Sequence, residues 1–365
     1  MINKQFFLAL CLLIMVFSGC FSNKHPMNRD QYDDPLDMIF DPSLPDGELV
    51  FEHSVLPLEG IDHIIPLGGL APYQHTFPTQ HIYWVDYNPQ KPEQQPPEVF
   101  APAGGKILKI KEFGDQDHGI LIGVTNTTTY YIYHLNLDAD FKVGDTVLGG
   151  EKLGVRTHLG IGIDLGVLNK NIYNNFIYQH YPLDTYYADK PLKYFSNSDP
   201  DFLQNQLYAK VRAESSSESG PDLDGKFNFD IPGTLSGNWW LKDTVSYFTD
   251  DEYGRRQLAF AYDNIYQDEI SISIGKNLDD ILESNILRVF YVQSDAVPPE
   301  EVEPGETVAY HLYQYRYKYI PTVPDSRVGL MMVKMLSKDQ IKVEIFIDTE
   351  SEVREFTDEA WEYKR

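Results

Sequence analysis

From Glu48 onward the chain is a succession of short apolar runs broken by Gly, Pro, Asn and Asp, and helical periodicity is scarce. Runs of about four to eight residues rich in Val, Ile, Tyr and Phe, bounded by turn residues, are strand signals. In the first half they predict strands at Leu49–His53, Ile61–Leu67, Lys106–Lys111, Gly119–Val124, Thr129–Leu135 and Ile161–Val167. A Pro/Gln-rich loop from Asn88 to Pro97 has no apolar pattern. In the second half strands are predicted at Lys226–Asp230, Asn238–Leu241, Gln257–Tyr262, Ile270–Ile274, Ile286–Val292, Val308–Tyr315, Gly329–Met335 and Gln340–Ile347. Such regular spacing fits a small barrel or sandwich. Two helices are expected. In Asp201–Val211, Phe202, Leu203, Leu207 and Val211 recur at helical spacing after a Pro-Asp start; the other is Asp358–Tyr363 at the end of the chain.

Composition divides the chain. Residues 21–47 are polar and acidic and read as a tether. The Ser/Glu/Gly stretch around Glu214–Gly220 has nothing to bury and reads as a linker. The expected organisation is an acidic tether over 20–47, a first domain over 48–212, a linker over 213–222 and a second domain over 223–365.

The first twenty residues are of another kind. Lys4 precedes an apolar run, Phe6–Phe17, about a dozen residues long. That suits the core of a signal peptide, whereas a spanning helix needs about 20. Phe17-Ser18-Gly19-Cys20 follows and resembles a bacterial lipobox, which implies that residues 1–19 are a signal peptide and that Cys20 carries the lipid, palmitate included. The expected setting is the bacterial cell envelope, with the body anchored to a membrane through Cys20. No Asp follows Cys20, so the inner-membrane retention signal is missing and the outer membrane is favoured. The other cysteine, Cys11, lies inside the apolar run, so the mature body has no thiol pair for a disulfide, a Cys zinc site or a Cys nucleophile. A formal charge of −25 argues against nucleic acid as a partner, since phosphate recognition needs a basic face.

Three segments of the first domain carry a family likeness. Val99-Phe100-Ala101-Pro102 through Gly105 and Ile107, Tyr133-His134-Leu135, and Val143-Gly144-Asp145-Thr146-Val147 continuing to Gly150 and Gly154 stand in the order found in the lysostaphin-like (M23) peptidases. The chain resembles that family over about residues 61–170. The resemblance implies a β-sandwich of the duplicated-hybrid-motif type, a cell-wall peptidoglycan substrate and zinc held by an H-x-x-x-D pair and the last histidine of an H-x-H strand. It also makes His134 the candidate catalytic residue. Strand alternation places His134 on the face opposite Tyr131, Tyr133 and Leu135.

The chain departs from that pattern at the metal. His81 and Asp86 are five apart instead of four, so a regular strand sends them to opposite faces. Where H-x-H should stand the chain reads Gly162-Ile163-Asp164-Leu165-Gly166. Asp164 takes the place of either the second histidine or the first, and glycine has no donor to offer. A rearranged set is conceivable from His75, His81, His134 and Asp164, with His158 as a further donor and a turn at Pro78 joining the first two. Zinc needs three protein ligands and an open position to work as a catalyst.

The second domain opens with Gly237-Asn238-Trp239, similar to the G-x-W start of lipocalin-like barrels, where the Trp closes one end. Tyr313, Tyr315, Tyr317 and Tyr319 would line one face of a strand, a stripe that suits core packing or a sugar face. The sequence therefore predicts a mostly β, lipid-anchored envelope protein with an M23-like domain and a second small barrel or sandwich. Its expected role is non-catalytic, binding peptidoglycan or regulating an envelope enzyme, with no cofactor. The alternatives are a metal-dependent endopeptidase on the rearranged ligands and a purely structural surface lipoprotein.

Overall fold

The computed structural model describes residues 35–72, 75–86, 95–114, 116–157, 162–177, 181–196, 203–244, 253–276, 288–314, 327–347 and 350–365. Cys20, His158 and the Tyr315–Tyr319 part of the tyrosine stripe lie outside these residues. The fold is mostly β, as the apolar pattern predicts: a ten-stranded sheet, then a closed eight-stranded barrel.

The first sheet is built from β1 (His63–Ile65), β2 (Ile82–Val85), β3 (Glu98–Phe100), β4 (Gly105–Gly114), β5 (Asp117–Gly123), β6 (Thr128–Leu137), β7 (Thr146–Val147), β8 (Lys152–Arg156), β9 (Gly162–Asn169) and β10 (Ala188–Asp189). Its main path runs β1-β2-β9-β6-β5-β4-β7, with β10 on β9, and β8 joining β3 to β6. Register sets one row of residues across this sheet: Lys111, Gly119, Tyr133, Asp164 and Tyr83. The next row is Lys109, Leu121, Tyr131 and Gly166. The opposite face carries Ile120, Ile122, Tyr130, Ile132, Ile163 and Leu165 into the main core. Two short helices follow, α1 (Leu183–Tyr187) and α2 (Leu203–Tyr208); α2 is shorter than its apolar pattern suggests and inserts Leu207 into that core.

The N-terminal stretch expected as a tether packs on this sheet in its described part. Phe40 is buried, Thr129 Oγ1 donates to the Ile39 carbonyl at 2.7 Å, and Lys106 meets Asp41 at 2.7 Å. Leu49–His53 is not a strand; Phe51 makes a single bridge to Phe195. The Ser-rich stretch after α2 is fastened to the barrel, with Ser215 Oγ donating to Asp268 at 2.9 Å and the Gln267 N–H to the Glu214 carbonyl at 2.9 Å.

The barrel consists of β11 (Gly237–Leu241), β12 (Gln257–Tyr262), β13 (Ile270–Ile274), β14 (Val289–Val292), β15 (Thr307–Gln314), β16 (Arg327–Ser337), β17 (Gln340–Phe346) and β18 (Trp361–Lys364). Each pairs antiparallel with the next, and β18 closes on β11 through Trp240 and Leu241. So the chain ends in a strand and not in the expected helix; the open edges of β11 and β17 take it up. Lys226–Asp230 forms no strand. Trp239, Leu258, Phe260, Ile272, Phe290 and Tyr310 fill the interior. At one end the Arg365 guanidinium lies 4.1 Å over the Trp239 ring and donates to the carbonyls of Ser236 (2.6 Å), Ile231 (3.0 Å) and Thr234.

The two β units share a core. Trp240 and Ala259, on the outside of the barrel, belong to the same buried cluster as the first sheet. Phe77 meets Trp240 edge to face at 4.9 Å. Thr76 Oγ1 donates to the Gly254 carbonyl at 2.8 Å, and Asn264 Nδ2 to the Pro66 carbonyl at 2.8 Å. The barrel thus grips the segment that runs from His75 to His81.

Candidate metal centre

Four side chains predicted from the sequence meet on one face of the first sheet. Asp164 lies in the middle of β9, 2% exposed. His81 enters just before β2, the neighbour of β9, and its Nε2 is 3.3 Å from Asp164 Oδ2. His134 comes from β6, the neighbour on the other side, with Nε2 at 3.5 Å from the same oxygen. His75 reaches in from the barrel-gripped segment, its ring centre 5.2 Å from that of His81. Ala71 and His75 exchange backbone hydrogen bonds at 2.7 and 2.8 Å, and this tight turn holds the segment folded back on itself.

His134 does not follow simple alternation. Gly119 pairs with Tyr133 and His118 with Leu135, which leaves His134 as the extra residue of a β-bulge with φ of 71°. Positive φ costs a residue with a Cβ on the order of 1 kcal/mol or more. The bulge turns the imidazole onto the face of Tyr133 and Asp164, the face opposite to the one predicted. On its other side His134 Nδ1 lies 3.0 Å from Asp117 Oδ2. Asp117 is 1% exposed, and Thr157 Oγ1 donates to its second oxygen at 3.4 Å while the Thr157 N–H donates to the His134 carbonyl at 2.9 Å.

Asp86 stays out of the site: its carboxylate meets Arg156 Nε at 2.6 Å, as the five-residue spacing from His81 requires. The glycines of β9 are enforced sterically. A Cβ at Gly166 would stand 2.1 Å from Tyr131 Cζ and 2.3 Å from its hydroxyl, and one at Gly162 would stand 2.0 Å from the Trp84 carbonyl oxygen. Tyr131, reaching over from β6, fills the volume that a side chain at 166 would take.

Charge follows from burial. Burial pushes the His75 and His81 imidazoles down to about 4, against the pull of the Asp164 carboxylate. Burial also raises the Asp164 carboxyl, but His81 and His134 more than offset it, so its pKa lies below the usual carboxylate range. At neutral pH His75 and His81 are therefore neutral and Asp164 is ionised, the protonation state in which these groups bind metals. His81 Nε2, Asp164 Oδ2 and the Tyr131 hydroxyl are buried without a hydrogen-bond partner among the described residues.

Donors about 2.0–2.2 Å from a tetrahedral zinc stand about 3.3–3.5 Å from one another. The His81–Asp164 and His134–Asp164 separations match two edges of such a tetrahedron. Among the described residues no group of three or more His, Cys, Asp or Glu meets the spacing of a complete metal cluster. The convergence is of two imidazoles on one carboxylate, with His75 at the rim. Asp117, Thr157 and Tyr131 were not among the candidates from sequence. Only the hairpin register, which sets Asp117 close to the bulge at His134, could have signalled the first.

No family model and no curated protein matches this sequence. Several solved structures are similar over part of it. Csd3 of Helicobacter pylori is 13% identical over 44% of this chain and 37% of its own, with a TM-score of 0.29. A putative M23 peptidase of Pseudomonas aeruginosa is 20% identical over 36% of this chain and 50% of its own, with a TM-score of 0.24. Lysostaphin is 14% identical over 54% of this chain and 74% of its own, with a TM-score of 0.23. This chain spans about a third of the length of the Csd3 chains. TM-scores this low leave the nature of the site to its own geometry.

Proposed function

We propose that this chain is a lipid-anchored protein of the bacterial cell envelope whose first domain is an M23-like peptidase domain with a rebuilt metal site, directed at peptidoglycan. The reading rests on one observation. Two imidazole nitrogens stand 3.3 and 3.5 Å from a single buried carboxylate oxygen. His81, His134 and Asp164 would hold the ion, and His75 would stand at its edge. A zinc ion held there would supply Lewis-acid polarisation of a peptide carbonyl. His75, half-buried and neutral, would stand at the rim, where its low pKa makes it only a weak base. Anchoring rests on the lipobox-like residues ending at Cys20, and the peptidoglycan substrate on the M23-like segments.

A second reading has its own support. His81 and Asp164 are only 4% and 2% exposed, and no side chain fits at Gly166, so little of the centre is open to a substrate. On that reading the domain binds peptidoglycan, or an envelope protein, without cleaving it. Metal analysis of the purified soluble chain, combined with an assay for release of cross-linked muropeptides, separates the two. One equivalent of zinc with turnover that is lost in Asp164→Ala supports the peptidase. Zinc without turnover, together with retention on purified sacculi, supports the binding protein. Absence of zinc after loading removes the metal site.

A further inference from the structure

The bulge at His134 and the buried carboxylate beside it point to a further role in the same centre. Asp117 touches neither Asp164 nor His81 through any described hydrogen bond or ion pair; it contacts His134 Nδ1 at 3.0 Å and Thr157 Oγ1 at 3.4 Å. A neutral imidazole carries one N–H. A carboxylate close to Nδ1 holds a proton there and turns the Nε2 edge outward. In this protein outward means toward Asp164, 3.5 Å away. The charged and titratable groups that face His134 are then Asp117 on one edge, Asp164 on the other, and His75 and His81 beyond. The Phe113 ring, 5.8 Å from that of His134, covers a third side and offers no hydrogen bond.

The backbone fixes the position of this arrangement as well. His134 adopts φ of 71°, a conformation that glycine takes freely and histidine does not. Thr157 ties the carboxylate and the histidine together, donating to Asp117 through its hydroxyl and to the His134 carbonyl through its N–H. The imidazole is therefore held from the backbone and from Nδ1 at once.

We propose that Asp117 is the positioning residue of the centre: it holds His134 with the proton on Nδ1 and presents Nε2 as the donor atom, with Thr157 as its anchor. This rests on the metal reading above, but the tautomer can be read without metal. In the full chain treated with chelator, long-range ¹H–¹⁵N correlation should show the His134 Nδ1 protonated. Zinc should then shift Nε2 and leave the Nδ1 proton in place. Asp117→Ala should release the tautomer and weaken zinc binding by about ten- to a hundredfold, measured by competition with a chelating dye. Asp117→Asn, which keeps the shape and an acceptor oxygen, should restore part of that affinity; Thr157→Val, which removes only the anchor, should cost less than Asp117→Ala. If Asp117→Ala does not fold, the Asn and Val variants carry the comparison. The proposal is overturned if His134 Nδ1 carries no proton, or if the Asp117 variants bind zinc as the parent does. Failure of the parent itself to bind zinc would overturn the metal reading instead, and would leave the tautomer result standing as the test of Asp117.

Discussion

Gly166→Ala is the sharpest test of the packing between β9 and Tyr131. The added Cβ would lie 2.1 Å from Tyr131 Cζ, 2.3 Å from its hydroxyl and 2.4 Å from Cε1, whereas carbon contacts settle at about 3.5–4.0 Å. The ring must move by more than about 1 Å to restore that spacing. It has little room. Tyr131 is 2% exposed, with the Tyr133 ring 4.6 Å away on one side and His81 at 6.3 Å on another. Tyr133 itself lies against Gly119, whose Cβ position is 2.5 Å from Cδ1. Overpacking of this kind costs about 1–3 kcal/mol, and the lack of an exit places Gly166→Ala near the upper end. With an m-value of about 2–3 kcal/mol per molar urea, the unfolding midpoint should fall by about 1 M. Shortening the ring should relieve the clash, so Tyr131→Ala and Gly166→Ala should couple favourably by about 1–3 kcal/mol in a double-mutant cycle followed by urea unfolding. If Gly166→Ala unfolds at the parent's midpoint, or if the two costs simply add, Tyr131 does not close off the space at Gly166 and the account of the β9 glycines is wrong.

Three further outcomes follow from named contacts. Without metal, His75 and His81 titrate near 6.5 in the unfolded chain but are held at about 4 in the folded one, so unfolding takes up protons between those values; stability should be full above about pH 6.5 and fall as the pH drops toward 4, with a slope reduced in His75→Gln, and equal slopes for parent and variant in urea titrations would contradict this. Thr76→Val removes the hydrogen bond to Gly254 while keeping the side chain's shape; zinc affinity should drop by about tenfold if the barrel's grip places His75 and His81, and unchanged affinity would make the barrel a bystander. Arg365→Ala strips three carbonyls of their donor and uncovers Trp239, and should lower the barrel's stability by about 2–4 kcal/mol, seen as an earlier step in a thermal melt followed by Trp fluorescence.

Much of the strand content was legible because short apolar runs bounded by turn residues mark strands, including those buried on both faces such as β12 and β13. Predicted runs such as Gln257–Tyr262 and Ile270–Ile274 coincide with β12 and β13. Where local pattern and tertiary pairing disagreed, pairing won. Asp358–Tyr363 was expected as a helix, but β11 and β17 offered two open edges and took residues 361–364 as a strand. The four site candidates were readable from the M23-like pattern and from the turn at Pro78 between His75 and His81. Their orientation was not. Alternation sends His134 away from the site, and a bulge fixed by a hairpin partner seventeen residues earlier in sequence turns it back. Asp117 could not be singled out, since nothing local marks a carboxylate that is buried against a distant imidazole. The glycines of β9 read in sequence as lost ligands; in the fold they are clearances for Tyr131 and for the Trp84 carbonyl.

The central claim is that His81, His134 and Asp164 hold one metal ion. Zinc K-edge X-ray absorption on the loaded full chain tests it most directly. The expected result is one zinc per chain with a four-coordinate nitrogen and oxygen shell at about 2.0–2.2 Å, a multiple-scattering signature of at least two imidazoles, and loss of that shell in Asp164→Ala. A spectrum of six oxygens without imidazole, or one unchanged by Asp164→Ala, would contradict it.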